Sequence, residues 1–185
     1  APSPSHPHPR SNSRQDIQAL RSEIKKLKEK YGPTRFAVMA NEESGVTHYK
    51  IRISTKEDFE ELLDTIKPIK YNEFDGEKVA RILSELAKEG LIGDLEFGSE
   101  GTNVIYISPP FWSDQNILYV SPRAPKIPRR KYTESERREM LKRIVKKLEE
   151  ANPDELDVEN IFGKIVSPDD PRQDPTLMRV RAWWD

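Results

Sequence analysis

The stretch from Lys70 to Ser108, KYNEFDGEKVARILSELAKEGLIGDLEFGSEGTNVIYIS, constrains this chain most. It asks for a helix, a glycine stop and a hairpin with almost no linker between them. Asp75 is placed to cap the helix by accepting a bond from an orphan backbone N–H. Val79, Ile82, Leu83 and Leu86 recur at helical spacing and share one face. Gly90 supplies the left-handed residue that ends a helix. Leu91 and Ile92 carry the apolar surface onward, and the polar turn Gly98–Gly101 leads into the β-rich run Val104 to Ile107. A helix face and a strand this close in sequence must share one core.

The flanking chain adds material to that core. His48, Lys50 and Arg52 alternate with Tyr49, Ile51 and Ile53, so the run from Thr47 to Ile53 reads as a strand with one wet and one buried face. Arg35 to Ala40 reads as a strand before it, joined by a loop over Asn41 to Gly45. Thr55, with Asp58 three residues on, opens a helix whose apolar face is Phe59, Leu62, Leu63 and Ile66, and Pro68 ends it. Ile69 and Tyr71 add a short extended piece. Thr133 and Glu136 have capping-box spacing ahead of Met140, Leu141, Ile144, Val145 and Leu148. Arg137, Arg138, Lys142, Arg143, Lys146 and Lys147 are expected to coat that helix with solvated charge. Asp154 to Phe162 reads as a short acidic segment. Leu177 to Trp184 alternates as a strand should, with Trp183 and Trp184 on opposite faces, and is expected to dock on its own core.

The expected fold class is α+β, a small mixed or antiparallel sheet with helices. Residues 1–12 form a proline-, serine- and histidine-rich tail expected to be disordered, and 13–31 an amphipathic helix. Residues 34–120 form the core, with the helix–hairpin unit at 75–107; 121–131 is a basic, proline-spaced arm, and 132–185 a terminal helix and docking segment. In the N-terminal helix Ile17, Leu20, Ile24 and Leu27 make a narrow seam of about two heptads, which suits packing on the domain or pairing with a partner helix, including a homodimer through 14–31.

Helix, Glu89-Gly90-Leu91-Ile92, then hairpin resembles the ending of many winged helix-turn-helix domains, over Asp75 to about Ile107. That resemblance implies a reading helix presenting Lys78, Arg81, Ser84 and Lys88. The same face also carries Glu77, Glu85 and Glu89, and the implied wing carries Asp94, Glu96 and Glu100 with no Lys or Arg. Phosphate contact dominates affinity for nucleic acid, so such a wing is repelled where it should be held. A plain α+β sheet with two helices accounts for the same pattern.

Composition excludes several chemistries. There is no cysteine, hence no disulfide, no thiolate nucleophile and no Cys-ligated zinc. His6 and His8 lack a third ligand, and His48 lacks an evident acid partner, so no metal site and no catalytic histidine is expected. No phosphate-cradling glycine run and no nucleophile elbow occurs, and no cofactor is expected. No apolar run approaches the roughly 20 residues that span a bilayer, and no signal segment is visible, so a soluble intracellular protein without membrane contact is expected. A formal net charge of −1 leaves no global attraction to polyanions. Positive charge is instead local. Arg123, Lys126, Arg129, Arg130 and Lys131 lie in the arm with no acidic residue among them. The chain is therefore expected to be a non-catalytic subunit of a larger, nucleoprotein-type assembly. Its core would hold protein partners, and its arm would meet RNA, DNA or another polyanion. The alternative expectation is a free-standing winged-helix DNA-binding regulator that dimerises through its N-terminal helix.

Overall fold

The computed structural model describes residues 48–115 and 128–185, with helical backbone also at Ser22, Lys25, Lys26, Glu29 and Lys30. The seam residues Ile17, Leu20, Ile24 and Leu27, the strand expected over 35–40, the run 117–120 and the arm residues Arg123 and Lys126 lie outside the described residues.

Strand β1 (His48–Ile53) buries Tyr49, Ile51 and Ile53 and exposes Lys50 and Arg52. Thr55 then caps α1 (Lys56–Ile66) by accepting from the Asp58 amide, and Phe59, Leu62 and Ile66 face inward. The pair β2 (Lys70–Tyr71) and β3 (Phe74–Asp75) forms a two-stranded ribbon that turns the chain. Asp75 caps α2 (Gly76–Lys88) through the Lys78 amide at 3.3 Å. Gly76 must be glycine, because a Cβ there would sit 1.7 Å from the Ile66 carbonyl oxygen. Gly90, at φ 75°, ends the helix. There follow β4 (Asp94–Glu100), β5 (Thr102–Ser108), α3 (Glu134–Glu149), β6 (Glu155–Asn160), a 3₁₀ turn (Pro175–Leu177) and β7 (Met178–Trp183).

β1, β4, β5, β7 and β6, in that order, form one antiparallel sheet. Tyr49, Ile51, Phe97, Ile105, Val180 and Ala182 project from one face into a single core shared with α1, α2 and α3. The architecture is thus α+β, with helices layered on one side of the sheet. Trp184 is fully buried in this core, edge-on to Phe74 with ring centroids 5.2 Å apart, and its indole donates to the Ala151 carbonyl at 2.9 Å. Trp183 projects to the opposite face with Val104 and Tyr106. The last strand docks on its own core, as its alternation required.

The structure revises three expectations. β4 continues through Gly98 and Ser99 to Glu100, and Gly101 alone, at φ 84°, makes the turn into β5. Gly98 is a glycine because β1 crosses so closely that a Cβ would meet the Tyr49 carbonyl oxygen at 2.1 Å. Second, β4–β5 is no free wing. β4 is bonded to β1 and β5 to β7, so the hairpin forms the interior of the sheet. Third, Arg137 does not belong to the solvated coat of α3. It is 1% exposed, and its Nη1 donates to the carbonyls of Pro109 and Pro110, each at 2.7 Å. Arg138 is half-buried and bonds the carbonyls of Pro168, Asp170 and Gln173, which fastens the proline-rich loop to the helix. The capping box of Thr133 and Glu136 at the start of α3 is formed as expected.

Candidate interaction surface

Beyond β6 the chain makes a tight turn and returns along the outer edge of that strand. The amide and carbonyl of Asn160 bond Lys164 and Gly163, and its side-chain Oδ1 accepts from the amides of Phe162 and Lys164 at 2.9 and 3.1 Å. Gly163 takes φ 74° at the tip, with nothing near it. Ile165 bridges back to Glu159, and the Val166 amide donates to the Val158 carbonyl. An Asx-type side chain thus satisfies the backbone of a turn that would otherwise depend on water. That turn carries the wrong side chains for solvent. Ile161 is 63% exposed, Phe162 85% and Ile165 59%. Ile161 and Leu177 share a cleft of about 240 Å³ with Met178 and Arg179. Single exposed apolar residues are ordinary, but here several are grouped on one well-bonded turn. Fully covering any one of these side chains is worth about 1.5–3 kcal/mol.

No family model matches the chain. No curated protein and no solved structure is significantly similar to it.

Sequence reasoning passes over the turn at 161–165, because its first two residues close the acidic segment Asp154 to Phe162. The available signal was Ile161-Phe162 immediately before a glycine, an apolar pair where a polar one belongs. The arm residues fall differently. Pro128 to Lys131 runs antiparallel to Phe111–Gln115. The Ser113 amide donates to the Arg130 carbonyl, and its hydroxyl bonds both the Pro128 carbonyl and the Arg130 amide at 3.0 Å. Arg129 lies over the Trp112 ring at 4.6 Å and 3.5 Å from the Asp114 carboxylate. Arg130 forks onto Glu136 at 2.8 and 2.6 Å. The Arg130 hydrogen bonds, followed by the Thr133 amide, hold the Glu136 carboxyl down to about 2. All four residues from Pro128 to Lys131 are exposed, yet both arginines already face a carboxylate. Lys131 has no ion pair among the described residues.

On α2, Arg81 is exposed and pairs with Glu85, and Ser84 is half-buried. The flank of this helix meets α3, where Glu85 bonds Lys147 at 2.7 Å and Glu89 bonds Arg143. Lys78 belongs to the same helix and makes no ion pair with α3 among the described residues, and Lys88 is exposed in its last turn.

The sheet face opposite the helices holds a second polar centre that the sequence did not reveal. Arg181 is 1% exposed, reaches Glu100 at 2.8 Å and Glu155 at 3.0 Å, and lies across from Tyr106 in the register. The Tyr106 hydroxyl donates to Glu100 at 2.7 Å, and the Arg179 guanidinium lies 3.9 Å over its ring. Burial pushes the Glu100 carboxyl up. The Tyr106 hydrogen bond and the Arg181 guanidinium outweigh that and hold it below the ordinary range. Burial, with the Glu100 carboxylate, drives the Tyr106 phenol the other way. Lys50 also reaches Glu100, at 3.6 Å, and acids and bases so paired order the sheet. Among the described residues no group of three or more His, Cys, Asp or Glu is placed to hold a metal ion, and no helix is long and apolar enough to cross a membrane.

Proposed function

We propose that this chain is a non-catalytic interaction subunit whose main protein-binding element is the turn Ile161–Ile165. The observation that carries the reading is Phe162, 85% exposed on a turn whose backbone is fixed by Asn160. A turn fixed before binding loses little conformational entropy on docking, so most of the apolar gain becomes affinity. Lys164 sits between Phe162 and Ile165 in sequence and is exposed. The fitting partner is therefore a protein with an apolar socket and a carboxylate beside it. The arm gives the second contact. Arg123, Lys126, Arg129, Arg130 and Lys131 would meet RNA, DNA or another polyanion, with Asp114 and Glu136 exchanged for phosphates at Arg129 and Arg130. Pre-engagement of both arginines makes this the weaker of the two contacts and the more salt-dependent. The winged-helix regulator draws less support, because its wing would have to leave the middle of a sheet.

The experiment is co-purification from source cells with and without nuclease. It compares the wild-type chain with Phe162→Asp and with the triple change of Arg129, Arg130 and Lys131 to alanine. The reading expects Phe162→Asp to lose a nuclease-resistant protein partner, and the triple variant to lose nuclease-sensitive material. It is overturned if both variants retain every association. It is equally overturned if Phe162→Asp changes only the oligomeric state of the chain itself.

A further inference from the structure

Below the end of β5 lies a cleft of about 390 Å³ that adjoins the one beside the apolar turn at Ser108, Thr176 and Met178, with Pro109, Pro110 and Phe111 as apolar wall and Arg52, Asp94 and Arg137 as charged lining. Arg137 is unusual there. Its guanidinium is 1% exposed, and it forms no salt bridge among the described residues. Burial lowers its pKa to about 10, so it remains charged at neutral pH. One edge of the group is fully used, because Nη1 donates to the Pro109 and Pro110 carbonyls at 2.7 Å. Its flat face lies 4.2 Å from the Phe111 ring. The other edge is only partly used. Nε is buried without a hydrogen-bond partner, and Nη2 has only a 3.5 Å contact with the Pro175 carbonyl. Asp174 is the acid whose charge Arg137 feels, but its carboxylate is taken by the Thr176 amide and hydroxyl. Arg52 is mostly exposed and paired with Asp94 at 2.8 Å, so the lining keeps one uncompensated positive charge.

A buried guanidinium without a counter-ion is costly, and carbonyl dipoles and an aromatic face offset only part of that cost. That edge, with Nε–H unspent beside Nη2–H, is the fork that donates side-on to two oxygens of a carboxylate or phosphate. We propose that this cleft binds a small carboxylate- or phosphate-bearing molecule with an apolar body, its anionic head on the Nε–Nη2 edge of Arg137 and its body against Pro109, Pro110 and Met178. The sequence could not show this, because Arg137 is one of six cations on its helix and only burial singles it out.

The test follows the Arg137 Nε–Hε resonance by nitrogen–proton NMR on the full chain, titrated separately with benzoate, phenyl phosphate and the neutral analogue benzamide. The expected result is a saturable shift of that resonance with benzoate, with phenyl phosphate or with both, and none with benzamide. Which anion acts at lower concentration identifies the head group. Arg137→Lys keeps the charge but removes the fork, and, followed by the backbone amide resonance of Phe111 at the cleft wall, is expected to weaken binding by at least about tenfold. Since that change also removes a staple of the fold, Ser108→Phe is the second variant. It places a large side chain at the half-buried end of β5, which lines the cleft, and is expected to abolish the shift in a chain that still folds. The proposal is overturned if neither anion moves the resonance, if benzamide moves it equally, or if Ser108→Phe leaves the titration unchanged.

Discussion

Replacing Trp184 with alanine tests whether the last strand is held by the core or merely lies on it. The side chain is fully buried, stacked edge-on to Phe74, and bonded to the Ala151 carbonyl. Truncating a buried tryptophan to alanine costs roughly 3–5 kcal/mol, and leaving the Ala151 oxygen without its donor adds about 1 kcal/mol. The total, about 4–6 kcal/mol, is a large share of the 5–15 kcal/mol that typically holds a domain together. At about 2–4 °C per kcal/mol for a chain of this size, the melting temperature should fall by roughly 8–24 °C. Trp184→Phe keeps an aromatic edge against Phe74 but loses the indole donor, and should cost about 1–2 kcal/mol beyond its smaller volume. The assay is urea unfolding followed by far-ultraviolet circular dichroism, with the slope compared between variants so that a shifted midpoint reports stability alone. If Trp184→Ala costs less than about 1 kcal/mol at an unchanged slope, the strand is only loosely seated and the assigned core is wrong.

Other outcomes follow from the same geometry. Gly98→Ala should destabilise the domain severely, because its Cβ would meet backbone of β1. Gly101→Asn, at a left-handed turn with open space, should change the midpoint by no more than about 0.5 kcal/mol. Arg181→Met should cost about 3–5 kcal/mol by removing the buried guanidinium that Glu100 and Glu155 share, read in the same urea assay. The folded-state pKa of Glu100 is depressed. Its stabilising contribution is therefore complete above the unfolded glutamate value, about 4.3, and is lost as pH falls through the lower folded value. Glu100→Gln should flatten that acid limb, and an unchanged acid profile would contradict the assignment. In a carboxylate NMR titration Glu136 should change state at about 2, and an ordinary value near 4.5 would mean that the Arg130 fork does not persist in solution.

What could be read from the residues was what is local. The caps at Asp75, Thr55 and Thr133 use a side chain and an amide three residues apart, so sequence contains both partners. The inward face of β1 follows from a two-residue period. Strand order does not, because periodicity says which face a residue takes and nothing about which strand lies beside it. The resemblance of residues 75–107 to a winged ending rested on order along the chain, and β7, arriving about 70 residues later, turned that hairpin into the centre of a sheet. Arg137 was a different failure. Arg137, Leu141, Ile144 and Leu148 fall at steps of four, three and four, so helical spacing already put the arginine on the core face. Its charge argued against what its position said. Phe162 was missed because an apolar residue in a turn looks like a weak strand end until the backbone bonds of Asn160 are seen. For the candidate site, residue type was legible and purpose was not.

β7 completes the sheet by sliding between two strands that cannot reach each other without it. Val104 to Ile107 on one side wait for Val180 to Trp183, and Glu155 to Asn160 on the other for Met178 to Trp183. During synthesis the chain must therefore hold two unsatisfied backbone edges until Met178 to Trp183 emerges from the ribosome. A translation product stopped short of that point would expose both edges to its neighbours, so chaperone capture and aggregation of nascent chains should depend sharply on whether those six residues have been made.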